Sequence, residues 1–387
     1  MTDPNERGQS EQGPSEQGPI ELTIGPIAHG GHWVARHDGR VVFVRHVLEG
    51  ERVVALPTDT TRDRFWRADA VEVLQPAPER VTPVCPIAGR CGGCDFQHVD
   101  AQAQRDLKTA VLAEQLDRLA GVQWAGTVQE VPGGSTGWRT RMHYRTDEQG
   151  RLGMRAHRSH DLVPLPDQGC AIAARQLPRD GWPPHADVRV VGESVLIDGE
   201  LHQGPETLTE HAAGRTWQVA ADGFWQVHPH AADVLSEAVI GALDPQTGER
   251  VLDLYCGVGL FAGVLADHGV TVQGVENNRA AVELAGSNVP EAEFIAGRVE
   301  RTLPKVWRRA DVVVLDPPRA GAGRAVVDQI VRRRPRAVAY VACDPAALAR
   351  DVAHFADRGY HLAGLRAFDL FPMTHHIEAV AQLLPAN

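Results

Sequence analysis

The stretch Arg250 to Glu276, RVLDLYCGVGLFAGVLADHGVTVQGVE, constrains the fold of this chain more than any other. Val251-Leu252-Asp253-Leu254 reads as an apolar strand, Cys256 to Gly259 as a glycine turn, and Leu260 onward as a helix that Gly269 ends. Val270 to Glu276 is a second strand with a carboxylate at its tip. Strand, turn, helix and strand together make a βαβ unit, which commits the region to a parallel α/β sheet. An acid at the end of the second strand sits where such folds meet ribose hydroxyls. A dinucleotide fingerprint needs G-x-G-x-x-G. Here Gly257-x-Gly259 is followed only by Gly263, so the spacing fits a dinucleotide poorly.

The remaining length requires more than this one unit. A chain of 387 residues exceeds one compact core, and 43% hydrophobic with 23% charged residues is ordinary for a globular protein. No apolar run reaches the roughly 18 residues of a membrane span. The polar start, MTDPNERGQSEQGPSEQGP, lacks the basic and apolar regions of a secretory signal, so a cytoplasmic location is expected. A net charge of −11 excludes a protein coated in basic surface but leaves room for a local nucleic-acid-binding patch. Six cysteines in such a chain point to metal or catalysis rather than disulfides.

Four regions follow. Residues 1–19 repeat a Ser-Glu-Gln-Gly-Pro theme without large apolar side chains, and are expected to be a disordered tail. Residues 20–76 alternate apolar and polar positions in five short runs separated by turn signals, the pattern of a small OB-like β-barrel. Residues 77–215 form a central α+β region with weak strand signals. Residues 216–387 carry the βαβ unit and read as an α/β domain.

The central region opens with Cys85, Cys91 and Cys94 in a C-x5-C-x2-C array interleaved with glycines. A four-thiolate zinc site usually shows two matched Cys-x2-Cys pairs, and only one is present. Three clustered cysteines with the distant Cys170 suit an iron–sulfur cluster of the [4Fe-4S] kind, with zinc as the alternative. The next segment is a helix with an amphipathic repeat at Leu107, Val111, Leu112, Leu116 and Leu119, expected to pack this region on the central domain. Arg139, Arg141, Arg145, Arg155 and Arg158 then gather with Trp138 and Tyr144, a phosphate-binding face with rings for base stacking or else a solvated hairpin.

In the last region Asp316 ends an apolar strand and is followed by Pro317 and Pro318, which fix its direction. Cys343 follows the strand Val338 to Val341, where open α/β folds place reacting groups, although most free cysteines are core residues. Phe368 to Phe371 and Ile377 to Leu384 read as closing strands. Glu378 stands alone among Ile377, Ala379 and Val380, and a carboxylate there is raised toward a base's range, unless it faces solvent on an edge.

Several motifs then carry a resemblance. DLYCGVG resembles the first motif of class I S-adenosylmethionine (SAM) methyltransferases, and the barrel resembles a TRAM domain. The cysteine segment resembles the cluster motif of RNA uridine-5-methyltransferases, with its Gln97-His98 pair. Together DLYCGVGLF, DPPRAG, YVACDPAALARDV and FPMTHHIEAV resemble the RNA 5-methyluridine methyltransferase family over the chain from Ile20 onward. That resemblance implies a Rossmann-like catalytic domain, Cys343 as nucleophile and Glu378 as base. It implies SAM held at Gln226, Tyr255, Gly257, Gly259, Glu276 and Asp316. It also implies an RNA substrate, with 23S rRNA favoured over tRNA, and a monomer. The sequence departs from the family at Ala342, Asp344, Leu260 and Arg298, where relatives tend to have Ser, Asn, Asn and a polar residue. A non-catalytic RNA-binding iron–sulfur protein with a degenerate methyltransferase domain is the alternative class. DNA or small-molecule methylation is disfavoured by the barrel and the basic segment.

Overall fold

The computed structural model describes residues 18–386. The expected disordered tail lies outside them except for its last two residues.

Strands β1 (Ile20–Ala28), β2 (His32–His37), β3 (Arg40–Arg45), β4 (Arg52–Asp59) and β5 (Phe65–Gln75) close into a barrel in the order β1-β2-β3-β5-β4. Alternation builds it: Leu22 and Ile24 point inward while Glu21 and Thr23 face out. Trp33, Val42, Val44, Val53 and Ala55 fill the interior. Phe96 and Val99 from the cysteine segment complete the same core, so the barrel is seated on that segment. Glu51, fully buried, accepts from Arg80 at 2.6 and 2.7 Å and from the Leu48 N–H at 2.8 Å, which locks the seam.

Helix α1 (Ala101–Ala120) begins at Asp100, whose side chain accepts from the Gln102 and Ala103 N–H groups, and ends at Gly121 in a left-handed conformation. Strand β6 (Val128–Gln129) follows. Next comes an antiparallel sheet of β7 (Arg141–Thr146), β8 (Leu152–Arg155), β9 (Leu162–Pro164), β10 (Asp187–Val191), β11 (Ser194–Ile197) and β12 (Glu200–Gln203), in the order β12-β11-β10-β7-β8-β9. A hairpin, β13 (Thr207–Ala212) and β14 (Arg215–Ala220), leads into the last region.

That region runs α2 (Ala231–Leu243), β15 (Arg250–Leu254), α3 (Leu260–Ala266), β16 (Thr271–Glu276), α4 (Arg279–Asn288), β17 (Glu293–Ala296), α5 (Val299–Thr302) and β18 (Val312–Leu315). It continues through α6 (Gly323–Val331), β19 (Ala337–Ala342), α7 (Pro345–Ala356), β20 (Tyr360–Phe368) and β21 (Glu378–Pro385). Its sheet has eight strands in the order β17-β16-β15-β18-β19-β21-β20-β6. The strands β17 to β19 are parallel, and β21 enters antiparallel between β19 and β20. Every residue of β18 and β19 is buried, which is why both read as unbroken apolar runs with helices on both faces.

Two expectations are corrected here. The first closing strand begins at Tyr360, and the stretch after Phe368 is loop rather than strand. Helix α1 does not serve only the cysteine region: Leu112 and Leu116 join the core of the large sheet with Val352 and Phe355 of α7. Leu119 is 37% exposed, outside the stripe expected of it.

Strand β6 likewise extends the catalytic sheet, pairing in parallel with Ala367 and Phe368 of β20. The central segment is therefore built into the large sheet. A buried ion pair fastens the same junction: Lys108 on α1 donates to Asp369 at 2.6 Å and to the Phe371 carbonyl at 3.0 Å. Asp369→Ala, by stranding the Lys108 ammonium, is expected to cost about 3–5 kcal/mol in urea unfolding, and the apolar pair Lys108→Met with Asp369→Leu much less.

Candidate active site

The site residues that sequence singled out converge on one edge of the large sheet. Glu276 ends β16, Tyr255 follows β15, Asp316 follows β18, and Cys343 follows β19. Chain order reverses between β15 and β18, where an open α/β sheet leaves a crevice beyond its carboxyl ends. Gln226 stands half-buried in the loop between β14 and α2.

The glycine turn is shaped for close approach. Gly257 has φ +55, and a Cβ there would meet nothing within 4 Å, so the turn opens on free space. Gly259, at φ +95, has room for no side chain, since a Cβ there would fall 3.2 Å from Val289 and 3.3 Å from Phe294. Tyr255 holds the left-handed φ of +63 without being glycine, a strain that clusters at functional sites. Glu276 accepts from the Gly257 N–H at 3.2 Å and the Asn278 N–H at 2.7 Å, which aims its carboxylate along the crevice. Asp253 is fully buried and braces the turn by accepting from the Ala262 N–H at 2.9 Å. An open turn with an acid at the next strand tip fits a nucleoside cofactor.

Register brings two of these residues near one another. Ala342 of β19 and Ala379 of β21 form the last pair of the antiparallel ladder, Cys343 follows the one and Glu378 precedes the other, and the Glu378 charge reaches the Cys343 thiol. Glu378 is buried, at 5% exposure, and starts its strand rather than facing solvent at an edge. Burial and the charge of Asp316 raise its carboxyl well above the ordinary range, opposed by Arg319. Burial raises Asp316 as well. Among the described residues, neither carboxylate receives a hydrogen bond from a neighbour. Burial pushes the Cys343 thiol up to about 12, with Glu378 and Asp316 adding to the rise and Arg319 opposing it. Three proton-holding groups with shifted affinities around one cation are what acid–base chemistry needs.

The loop that delivers Glu378 is strapped from outside the sheet. Its Met373 carbonyl accepts from the N–H groups of Asp95 and Phe96, both at 2.9 Å. Its Met373 N–H donates to Gln104 at 2.8 Å. His375 Nδ1 lies 2.6 Å from Asp95. Although burial pushes the Asp95 carboxyl up, His375 holds it below its ordinary range. His376 Nε2 is 3.2 Å from Arg319 Nη2, which carries the strap to the Asp316 side of the site.

Cys85, Cys91, Cys94 and Cys170 line one cavity with Gln97 and Arg139, so the distant Cys170 lies beside the array. All four are free thiols, and burial raises Cys91 to about 11 and Cys94 to about 12. Among the described residues, no three His, Cys, Asp or Glu side chains converge to hold a metal ion. A cluster spreads its thiolates over several iron atoms, and four thiols around one cavity fit that demand.

The five arginines do not share one face. Arg139 lines the cysteine cavity, and Arg141 turns inward to donate to the Gly223 carbonyl at 2.9 Å. Arg145 lies 3.1 Å from Asp187. Arg155 and Arg158 are exposed, and the Arg158 charge reaches Arg67 of the barrel. The basic surface is therefore shared between hairpin and barrel.

Sequence reasoning missed Asp95, Lys108, Asp369 and His375. Only Lys108 had a local signal, a charge in the apolar stripe beside Leu107, Val111 and Leu112.

A family model described as tRNA (Uracil-5-)-methyltransferase matches residues 305–385, and a TRAM domain model matches residues 19–71. A methyltransferase small domain model matches residues 228–339. An uncharacterized RNA methyltransferase of Streptomyces avermitilis is 45% identical, over 95% of this chain and 98% of the relative. The 23S rRNA (uracil(1939)-C(5))-methyltransferase RlmD of Shewanella sp. is 31% identical, over 93% of this chain and 94% of its own. Among solved structures, the Pyrococcus abyssi tRNA (uracil-54, C5)-methyltransferase superposes with a TM-score of 0.71, at 23% identity, covering 94% of this chain and 99% of that one.

Iodoacetamide labelling of Cys343, followed by peptide mass spectrometry, is expected at pH 8 to run at least about tenfold slower than on a free cysteine peptide. It should then climb through alkaline pH, because a thiol at about 12 holds little thiolate at pH 8.

Proposed function

This chain belongs to the TRAM-containing RNA uracil-C5 methyltransferase family, and on that premise we propose that it methylates carbon 5 of one uridine in 23S rRNA through a covalent Cys343 adduct. The observation that supports the mechanism is the β19–β21 register, whose last pair, Ala342 with Ala379, leaves Cys343 next to a buried Glu378.

Carbon 5 of uracil is too weak a nucleophile to take a methyl group unaided. Addition of the Cys343 thiolate to ring carbon 6 moves electron density to carbon 5 and makes it reactive. Once carbon 5 has bonded to a methyl group, whose bond to the donor sulfur breaks to leave a neutral thioether, Glu378 removes the carbon-5 proton, the electron pair reforms the ring double bond, and the thiolate leaves. SAM supplies the electrophilic methyl group. Gln226, Tyr255, Gly257, Gly259, Glu276 and Asp316 would hold it, the glycine turn through its backbone and Glu276 as an acceptor for ribose hydroxyls. The target base must leave its stack to reach a thiol this recessed, at a cost of a few kcal/mol.

Arg155 and Arg158, exposed beside the barrel, bind RNA phosphates. Arg139, Arg141 and Arg145, turned toward protein partners, set the shape of that surface more than its charge. Support for rRNA over tRNA comes from the RlmD relative, whose named substrate is 23S rRNA. Mapping 5-methyluridine in rRNA and tRNA from a deletion strain decides between them.

A [4Fe-4S] cluster on Cys85, Cys91, Cys94 and Cys170 fits the shared cavity. It takes no part in methyl transfer and ties the Cys170 loop to the segment that straps Glu378. Anaerobically purified protein should be brown with about four irons per chain, and stoichiometric zinc without iron would overturn this assignment.

Cys343→Ala is expected to abolish methyl transfer and the adduct, while Glu378→Gln accumulates a methylated RNA–protein band that survives denaturation. Full activity in Cys343→Ala would sink the mechanism.

A further inference from the structure

The turn between β1 and β2 reaches from the barrel into the active-site edge of the large sheet. His29 Nε2 lies 3.2 Å from Asp344 Oδ2, with both side chains about two-thirds or more covered, at 37% and 26% exposure. Asp344 directly follows Cys343 and caps α7, its Oδ1 accepting from the Ala347 N–H at 2.7 Å. Its two oxygens are thus divided, one committed to the helix and one to the barrel. Two residues along the same turn, Gly31 is pressed against the other catalytic loop, where a Cβ would fall 2.9 Å from the His375 Cβ. One turn of the barrel therefore touches the loop of Cys343 and the loop that delivers Glu378.

We propose that His29 is a positioning residue for the reaction, holding the Asp344 carboxylate and, through it, setting how readily Cys343 becomes a thiolate. The inference rests on Cys343 being the nucleophile.

The argument is one of charge and geometry. A carboxylate next in sequence to a thiol opposes thiolate formation, and Asp344 adds to the upward push on Cys343. Donation from His29 occupies the free oxygen and, when the ring is protonated, offsets its charge. Although burial raises Asp344, the His29 hydrogen bond and the Ala347 N–H together hold it below its ordinary range. The other charges facing this pair are Arg350 on α7, Asp316 and Arg319 after β18, and Glu378 on β21. An asparagine at 344 would cap the helix equally well and carry no charge to be offset. Asp344 makes His29 necessary, and the pair puts the barrel in contact with the nucleophile loop.

The test uses the full chain. His29→Ala is expected to slow iodoacetamide labelling of Cys343 at pH 8 by about two- to fivefold, and to lower the single-turnover methyl-transfer rate at saturating RNA by a similar factor. Adding Asp344→Asn to His29→Ala should restore both to within about twofold of the parent, because the stranded charge is gone. His29→Gln, which keeps a neutral donor, should fall between. Wild-type labelling in His29→Ala overturns the proposal, as does a double variant no faster than His29→Ala. Labelling reports the thiol whether or not it attacks RNA. Methyl transfer surviving in Cys343→Ala would therefore break the nucleophile reading separately.

Discussion

One buried ion pair, Lys108 with Asp369, fastens the loop that carries Glu378 to helix α1. Asp369 begins the loop that must bring Glu378 back into the sheet antiparallel to its neighbours, beside the strand that leads to Cys343. Burial pushes the Lys108 ammonium down and the Asp369 charge pulls it back, so the pair keeps its charge only while both partners are in place. From there the loop passes Gln104 and then Asp95, each bonded to it within hydrogen-bond distance. The position of Glu378 is thus decided by a helix and a cysteine segment that lie far upstream.

Much of this was legible where the signal is local. A glycine turn between two apolar strands, a proline-stiffened aspartate, a cysteine at a strand end and a lone acid among apolar residues each carry their meaning within a few positions. Together they gave Glu276, Asp316, Cys343 and Glu378. The barrel was equally readable, because alternation is a two-residue pattern. Contacts closed by the chain's return were not. Nothing near Asp95 announces His375, and nothing near His29 announces Asp344, since each partner lies hundreds of residues away. Arg139 and Arg141 show the converse: a run of arginines marks basic composition, while strand alternation and the cysteine cavity decide which of them face water.

The electrostatics of the site have a common direction. Cys343, Glu378 and Asp316 are all shifted toward holding their protons, and the Arg319 charge opposes the shift at Cys343 and Glu378. A cation placed among the three would lower all of them together.

The short pairing of β6 with β20 has a consequence for how the polypeptide is made. Val128 and Gln129 leave the ribosome some 240 residues before Ala367 and Phe368, their partners. At ordinary elongation rates the gap is roughly ten to fifty seconds. During that time the apolar face of α1, with Leu112 and Leu116, has no sheet to cover it, while the barrel upstream is free to close. Newborn chains therefore pass through a long stage with a finished head and an uncovered helix, in which a chaperone has a clear target and a truncated message leaves a sticky product.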